Sequence, residues 1–255
     1  MNSNRWNLNG KLALVTGGTK GIGLSVVNEF LDLGASVITV SRTGNDLKKI
    51  RRLIDEPGRL ETFKADISNP NERNNLIAFI KDQWPHLDIL VNNVGMNIRK
   101  PITEYSQAEY DKIISTNLHS VFDLTRMAFP LLKLSDQGNV INITSVAGLT
   151  FLRTGAIYAM TKAAVIQLTK NLAGEWAKYN IRVNAIAPWY IKTPLVETVL
   201  GDPNYLKDVL ARTPMKKVGN PEDVSGAVAY LCMPASAYIT GHCLNVDGGF
   251  MINGF

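Results

Sequence analysis

The stretch Leu12-Ala13-Leu14-Val15-Thr16-Gly17-Gly18-Thr19-Lys20-Gly21-Ile22-Gly23 decides the fold of this 255-residue chain. Its first half is apolar up to Thr16, as a strand buried on both faces requires. Its second half is a glycine-rich turn, and residues 22–33 continue it with helical periodicity. Glycines at such a junction permit a tight turn and close approach of a pyrophosphate to the backbone. The helix N-terminus adds unpaired N–H groups and the positive end of its dipole. A glycine turn alone is a weak signal. Placed after the first strand of a β-α-β unit, it reads as a dinucleotide cradle.

Working outward, strand-like runs at 11–16, 36–41, 60–65, 88–92, 138–144, 182–187 and 242–246 alternate with helical stretches at 22–33, 45–54, 70–84, 107–134, 155–178 and 221–232. This alternation predicts an α/β fold: a doubly wound, Rossmann-type sheet of seven parallel strands flanked by helices. No linker, repeat or low-complexity stretch interrupts it, so residues 1–255 are expected to form one domain. The largest interruption, 189–220, mixes Pro194, Pro203, Pro214, Gly201 and Gly219 with short apolar groups. It is expected to be a partly helical lid, because binding loops follow the C-terminal ends of strands in such folds.

Composition narrows the classes further. With 45% hydrophobic and 19% charged residues the chain has material for a sizeable core and too little charge for a disordered protein. Cys232 and Cys243 cannot build a disulfide framework or a cysteine-rich zinc site, and His86, His119 and His242 are scattered, so no metal is expected. The N-terminus lacks a secretory apolar core of ~7–15 residues, and no apolar run reaches the ~18 residues of a membrane span. A cytoplasmic protein with no membrane partner is therefore expected. The net charge of +5 is spread out, and its densest cluster, Lys48, Lys49, Arg51 and Arg52, reads as a solvated helix face rather than a nucleic-acid patch.

The end of the second strand discriminates between dinucleotides. A carboxylate there would hold a ribose 2′-hydroxyl. This chain has Ser41-Arg42 instead, with Arg42 standing 19 residues beyond Gly23. A guanidinium suits a 2′-phosphate, and Lys20 adds a second cation inside the turn. The expected cofactor is NADP(H) rather than NAD(H).

Tyr158 and Lys162 stand four residues apart, ~400° of helical rotation, and so share a helix face. A nearby ammonium favours tyrosinate and is expected to lower the phenol pKa from ~10 towards neutrality. Such a pair arises by chance in a chain of this length, and context gives it weight. Ser145, at the close of the fifth strand, lies where a ligand-facing hydroxyl belongs. It can donate to a carbonyl oxygen while the tyrosine supplies a proton. Asn117, in the poor helical pair Thr116-Asn117, has two readings: a plain helix distortion or a catalytic role.

The glycine turn, Asn92-Asn93-Val94-Gly95, Asn117, Ser145, Tyr158 with Lys162, Asn184, Pro188 and Asp247-Gly248-Gly249 resemble, in order and spacing over essentially the whole chain, the short-chain dehydrogenase/reductase family. Ala173-Gly174-Glu175-Trp176-Ala177, the run from Thr193 to Thr198 and the C-terminal ending look most like its tropinone-reductase-like branch. The resemblance implies Tyr158 as general acid/base, Ser145 polarising the carbonyl, Lys162 on the nicotinamide ribose and Asn117 in a proton relay to Lys162. It implies Asp66 at the adenine, Asn93 on the adenosine side, and Pro188, Ile191 and Thr193 beside the nicotinamide. Gly17, Thr19, Lys20, Gly21, Ile22, Gly23, Ser41, Arg42, Ile67 and Gly95 complete the cofactor set. Two departures stand out. Val94 replaces the usual alanine and adds bulk beside the cofactor, and Trp189 replaces a glycine with an aromatic wall.

The substrate implied is a small, cyclic ketone or its alcohol. Arg99, in the stretch after the fourth strand, has two readings. Pointing inward, it would repel a cationic ketone and favour a neutral or anionic one; pointing outward, Arg99 and Lys100 are solvated loop charges. A 3-oxoacyl carrier-protein reductase shares the implied fold, but the positions that would dock an acidic carrier, Pro130 and Gly174, are not basic. The stretch 158–178 is apolar around most of its circumference, so a second face is expected to pack on a partner copy, and the resemblance implies a tetramer. A non-catalytic cofactor-binding protein and a nucleic-acid binder remain as competing classes.

Overall fold

The computed structural model describes residues 5–54 and 56–254. Its strands are β1 (Leu12–Thr16), β2 (Ser36–Ser41), β3 (Leu60–Lys64), β4 (Ile89–Asn92), β5 (Gly138–Ile143), β6 (Ile181–Pro188) and β7 (Cys243–Val246). All seven pair in parallel in one sheet of order β3-β2-β1-β4-β5-β6-β7. The Rossmann-type fold expected from the alternating pattern is thus the fold observed. Strand ends shift by a residue or so, and Ser145 lies two residues past β5 rather than closing it.

Successive strand residues face opposite sides, and each side is covered. Ala13 and Val15 of β1 pack with Val26, Val27 and Phe30 of α1 (Gly21–Asp32) and with Val224 and Val228 of α9 (Pro221–Cys232). Leu14, between them, faces the other way, onto Leu76 and Ile80 of α3 (Pro70–Gln83) and Leu124 of α5 (Ser120–Leu132). Fully burying one such side chain contributes ~1.5–3 kcal/mol, so a one-residue slip of β1 is strongly disfavoured.

The remaining helices are α2 (Gly44–Leu53), α4 (Gln107–Ile114), α6 (Ala156–Trp176), α7 (Glu197–Leu200) and α8 (Pro203–Arg212), and the last two lie within 189–220. A parallel bridge between Ile191 and Gly219, with Lys192 N–H donating to Gly219 at 2.9 Å, ties the two ends of that segment together. Just beyond it, Asn220 and Asp223 form the capping box of α9. The chain leaves β1 towards β2 and leaves β4 towards β5, in opposite directions. A crevice therefore opens at their carboxyl ends, the switch point of the sheet.

Among the described residues no helix is long and apolar enough to cross a membrane, and no group of three or more His, Cys, Asp or Glu is placed to hold a metal ion.

Candidate active site

A cleft of about 310 Å³ follows this switch point from the glycine turn to Tyr158. At the turn, Gly17 has φ +71°, and a Cβ there would stand 2.9 Å from Val94 Cγ2. A Cβ on Gly23 would stand 2.3 Å from the Gly17 carbonyl oxygen, so α1 begins with its backbone against the turn. No side chain caps α1 and no acid occupies its first turn, which leaves its positive end free for an anion. These are the features a bound pyrophosphate requires, and the residues present fit a dinucleotide.

Asn93 serves the turn itself. Its amide Nδ2 donates to the carbonyls of Thr16 (2.9 Å) and Gly17 (3.3 Å), and its backbone N–H donates to Thr16 Oγ1 at 2.9 Å. Its side-chain donors are thus spent on the cradle wall. Val94, expected to crowd the cofactor, packs on Gly17 and makes glycine obligatory there by contact as well as by φ.

At one end of the cleft lie Lys20, Ser41, Arg42, Asp66 and Ile67. Lys20 and Arg42 are both exposed. Arg42 approaches Asp66 at 3.8 Å, with side chains 67% and 35% exposed, a pairing that water screens to little strength. Asp66 Oδ1 accepts from the N–H and hydroxyl of Ser68. Ile67 is buried, and its carbonyl accepts from Arg73 at 2.6 Å.

At the other end stand Ser145, Tyr158 and Lys162. Ser145 caps a short 3-10 turn, Val146–Gly148, its Oγ accepting from Ala147 N–H at 3.1 Å. Ser145 and Tyr158 share this end of the cleft wall, and the serine hydroxyl is near enough to favour the tyrosinate form. Lys162 lies one turn along α6, with Nζ 5.6 Å from the Tyr158 ring centroid and donating to the Ile143 carbonyl at 2.8 Å. Burial lowers the Lys162 pKa to about 8. The expectation that Lys162 lowers the phenol pKa is corrected here: burial raises Tyr158 above its ordinary 10, while the nearby Ser145 hydroxyl and the Arg99 charge pull the other way. Desolvation of the neutral-preferring phenol outweighs its charged surroundings.

Asn117 lies in a π-helical turn, Ser115–His119, joining α4 to α5, so the helical run at 107–134 is distorted as its poor helix formers suggested. The distortion aims the Asn117 side chain at the loop after β4. Oδ1 accepts from Met96 N–H and Nδ2 donates to the Met96 carbonyl, each at 2.8 Å, with a further 3.3 Å contact to Thr161 Oγ1. A Cβ on Gly95 would lie 3.4 Å from Lys162 Nζ and 3.7 Å from Asn117 Oδ1, so Gly95 sits between the two.

Pro188, Trp189, Ile191 and Thr193 form the wall after β6. Thr193 reaches the turn, its Cγ2 3.1 Å from the Cβ position of Gly21. Trp189 stacks on Phe250 with ring centroids 3.9 Å apart and donates from Nε1 to Thr213 at 3.1 Å. Arg99 also lines the cleft, while Lys100 pairs with Glu109 at 2.7 Å. Sequence reading separated neither of these two charges and passed over Tyr190, whose hydroxyl meets that of Tyr205 on α8 at 2.6 Å. The only local signal was a second aromatic after Pro188. Pro130 lies inside α5, and Gly174 is exposed on α6.

A glycine cradle at the switch point of a parallel sheet, with serine, tyrosine and lysine at the far end of the same cleft, defines an oxidoreductase that works with a nucleotide cofactor. A family model described as Enoyl-(Acyl carrier protein) reductase matches residues 17–251. A tropinone reductase homologue of Arabidopsis thaliana is 51% identical over 253 residues, covering 98% of this chain and 96% of the relative. A chloroplastic tropinone reductase homologue of the same plant is 48% identical, covering 98% of this chain and 79% of the relative. Among solved structures, a gluconate 5-dehydrogenase of Burkholderia cenocepacia in complex with NADP and tartrate aligns with a TM-score of 0.93 at 30% identity, over 98% of both chains. The chain belongs to the short-chain dehydrogenase/reductase family, in its tropinone-reductase-like branch. It is an oxidoreductase of a family that binds a nicotinamide cofactor.

Proposed function

We propose that the chain is an NADPH-dependent carbonyl reductase acting on a small, cyclic ketone, with Tyr158 as general acid. The observation that carries this reading is that Ser145, Tyr158 and Lys162 line one end of a cleft that begins at the glycine cradle. Lys20 and Arg42 at the cradle end favour a 2′-phosphate, and the gluconate dehydrogenase neighbour holds NADP. The names of the relatives span tropinone-type and gluconate-type substrates, so they leave the ketone open.

When bound, the nicotinamide supplies the hydride that the carbonyl carbon receives. Lys20, Arg42 and the start of α1 would hold the phosphates, and Lys162 the nicotinamide ribose. Ser145 donates to the carbonyl oxygen and orients it towards Tyr158. Burial keeps the phenol protonated at neutral pH, and in that form it can give its proton to the oxygen as negative charge develops there. Asn117 holds the 95–96 loop against α6 and keeps Lys162 beside Gly95.

The reading extends to the whole chain: one domain, with 189–220 closing over the cleft through Trp189 and Thr193. It also includes cytoplasmic residence and a homotetramer built on the half-apolar exposed face of α6, where Met160 is 53% exposed.

The test is NADPH and NADH consumption over a panel of cyclic ketones, in the wild type and in Tyr158→Phe. Turnover with NADPH, lost by 100-fold or more in the variant while NADPH still binds, is the expected result. A variant that keeps its turnover, or a wild type that turns over no ketone with either coenzyme, overturns it.

A further inference from the structure

The substrate end of the cleft carries a cation without a partner. Arg99 is half-buried on the cleft wall, and its Nε is buried with no hydrogen-bond partner. Among the described residues no carboxylate pairs with it. Its sequence neighbour Lys100 is neutralised by Glu109 at 2.7 Å, and Arg153 by Asp208 at 2.8 Å. The acids on the cleft wall, Asp46 and Asp66, belong to the Arg42 end. The Arg99 charge instead faces two phenols, Tyr158 and Tyr190.

A guanidinium half withdrawn from water, with a buried Nε–H left unpaired and no counter-charge beside it, is a ready site for an anionic group. A carboxylate suits it best, because its two oxygens match the planar fork of the guanidinium. The same cleft is lined by Leu152, Trp189, Leu195 and Val196, apolar surface that suits a compact carbon skeleton. We propose that the substrate is a keto acid, reduced to the hydroxy acid, with its carbonyl oxygen on Ser145 and Tyr158 and its carboxylate on Arg99. Arg99 is then the residue that selects substrate by charge. The inference rests on the carbonyl-reductase reading and narrows it to one substrate class. A cationic aminoketone is repelled at the same place.

The experiment compares kcat/KM, with NADPH, for 3-oxocyclohexanecarboxylate, its methyl ester and N-methyl-4-piperidone. The wild type is expected to prefer the carboxylate over the ester by tenfold or more, with the aminoketone last. In Arg99→Gln the carboxylate-to-ester ratio falls to near one, and Arg99→Lys retains part of it. A wild type that prefers the ester or the aminoketone overturns the inference, as does an Arg99→Gln ratio equal to that of the wild type. A binding arm needs no turnover: 3-oxocyclohexanecarboxylate is titrated into NADP-loaded Tyr158→Phe, with the fluorescence of Trp189 on the cleft wall as the signal. Affinity tenfold weaker once Arg99→Gln is added supports the carboxylate site, even if no ketone is reduced and the reductase reading falls. Equal affinity with and without Arg99, or binding of the ester as tight as the acid, overturns it.

Discussion

Asn117 and Met96 are locked together by a reciprocal pair of hydrogen bonds: the asparagine side chain accepts from the Met96 N–H and donates to the Met96 carbonyl, both at 2.8 Å. Asn117 is fully buried, and its side-chain amide is satisfied by the half-buried Met96 backbone. The pair fixes the loop after β4 to the π-helical turn, and through Thr161 to the helix that carries Tyr158 and Lys162.

Asn117→Leu leaves the half-buried Met96 N–H and carbonyl without their partner, and is expected to destabilise by about 1–3 kcal/mol. Asn117→Asp keeps the acceptor but sets a carboxylate oxygen against the Met96 carbonyl, so it too destabilises despite its matching shape. Urea denaturation at neutral pH measures both, and an Asp variant as stable as the wild type contradicts the reciprocal arrangement.

Gly17→Ala places a methyl group 2.9 Å from Val94 Cγ2 at φ +71°. Backbone strain of about 1 kcal/mol adds to the clash. Val94→Ala removes the clash but not the strain, so the double variant is expected to be about 1 kcal/mol more stable than the sum of the single effects predicts. A double-mutant cycle by denaturant unfolding reads this coupling directly, and strict additivity would show that the two side chains do not meet.

Arg42→Ala removes an exposed cation whose neighbour Asp66 holds it only loosely at 3.8 Å. The expected effect is a KM for NADPH raised about tenfold, the worth of one charge-assisted hydrogen bond, with kcat held and NADH kinetics changed less than about twofold. Lys20→Ala acts in the same direction. Steady-state kinetics with both coenzymes separates this from general damage, which would lower both alike.

Lys162→Met is expected to trade turnover for stability. Burial lowers the Lys162 pKa to about 8 from its ordinary 10.5, so between those values the folded state binds fewer protons than the unfolded one. The penalty for burying the ammonium is fully present below pH 8, shrinks as pH rises towards 10.5 and is absent above it. At its upper limit it amounts to about 3 kcal/mol, less the lost bond to the Ile143 carbonyl. The variant should therefore melt higher than the wild type at pH 7, with the gap closing at high pH. A gap that widens with pH would mean that Lys162 is not held as a strained cation.

Much of this protein is written locally in the chain. The seven strands, the glycine turn, the cation at Arg42 and the shared helix face of Tyr158 and Lys162 were all legible in the sequence. Each depends on neighbours within a turn or a strand, where period and spacing carry the information. What only the tertiary structure decided lies between elements far apart in sequence. Asn117 clasps a residue 21 positions away and Tyr190 meets Tyr205 across the segment 189–220, and no local pattern encodes either contact. Arg99 and Lys100 are adjacent cations with identical local signals. One turned into the cleft without a counter-charge and the other out to Glu109, because the direction of a loop side chain is set by what packs around it. The raised pKa of Tyr158 has the same origin. The lysine one turn away is visible in sequence, but desolvation sums over every surrounding atom and exists only once the fold has closed.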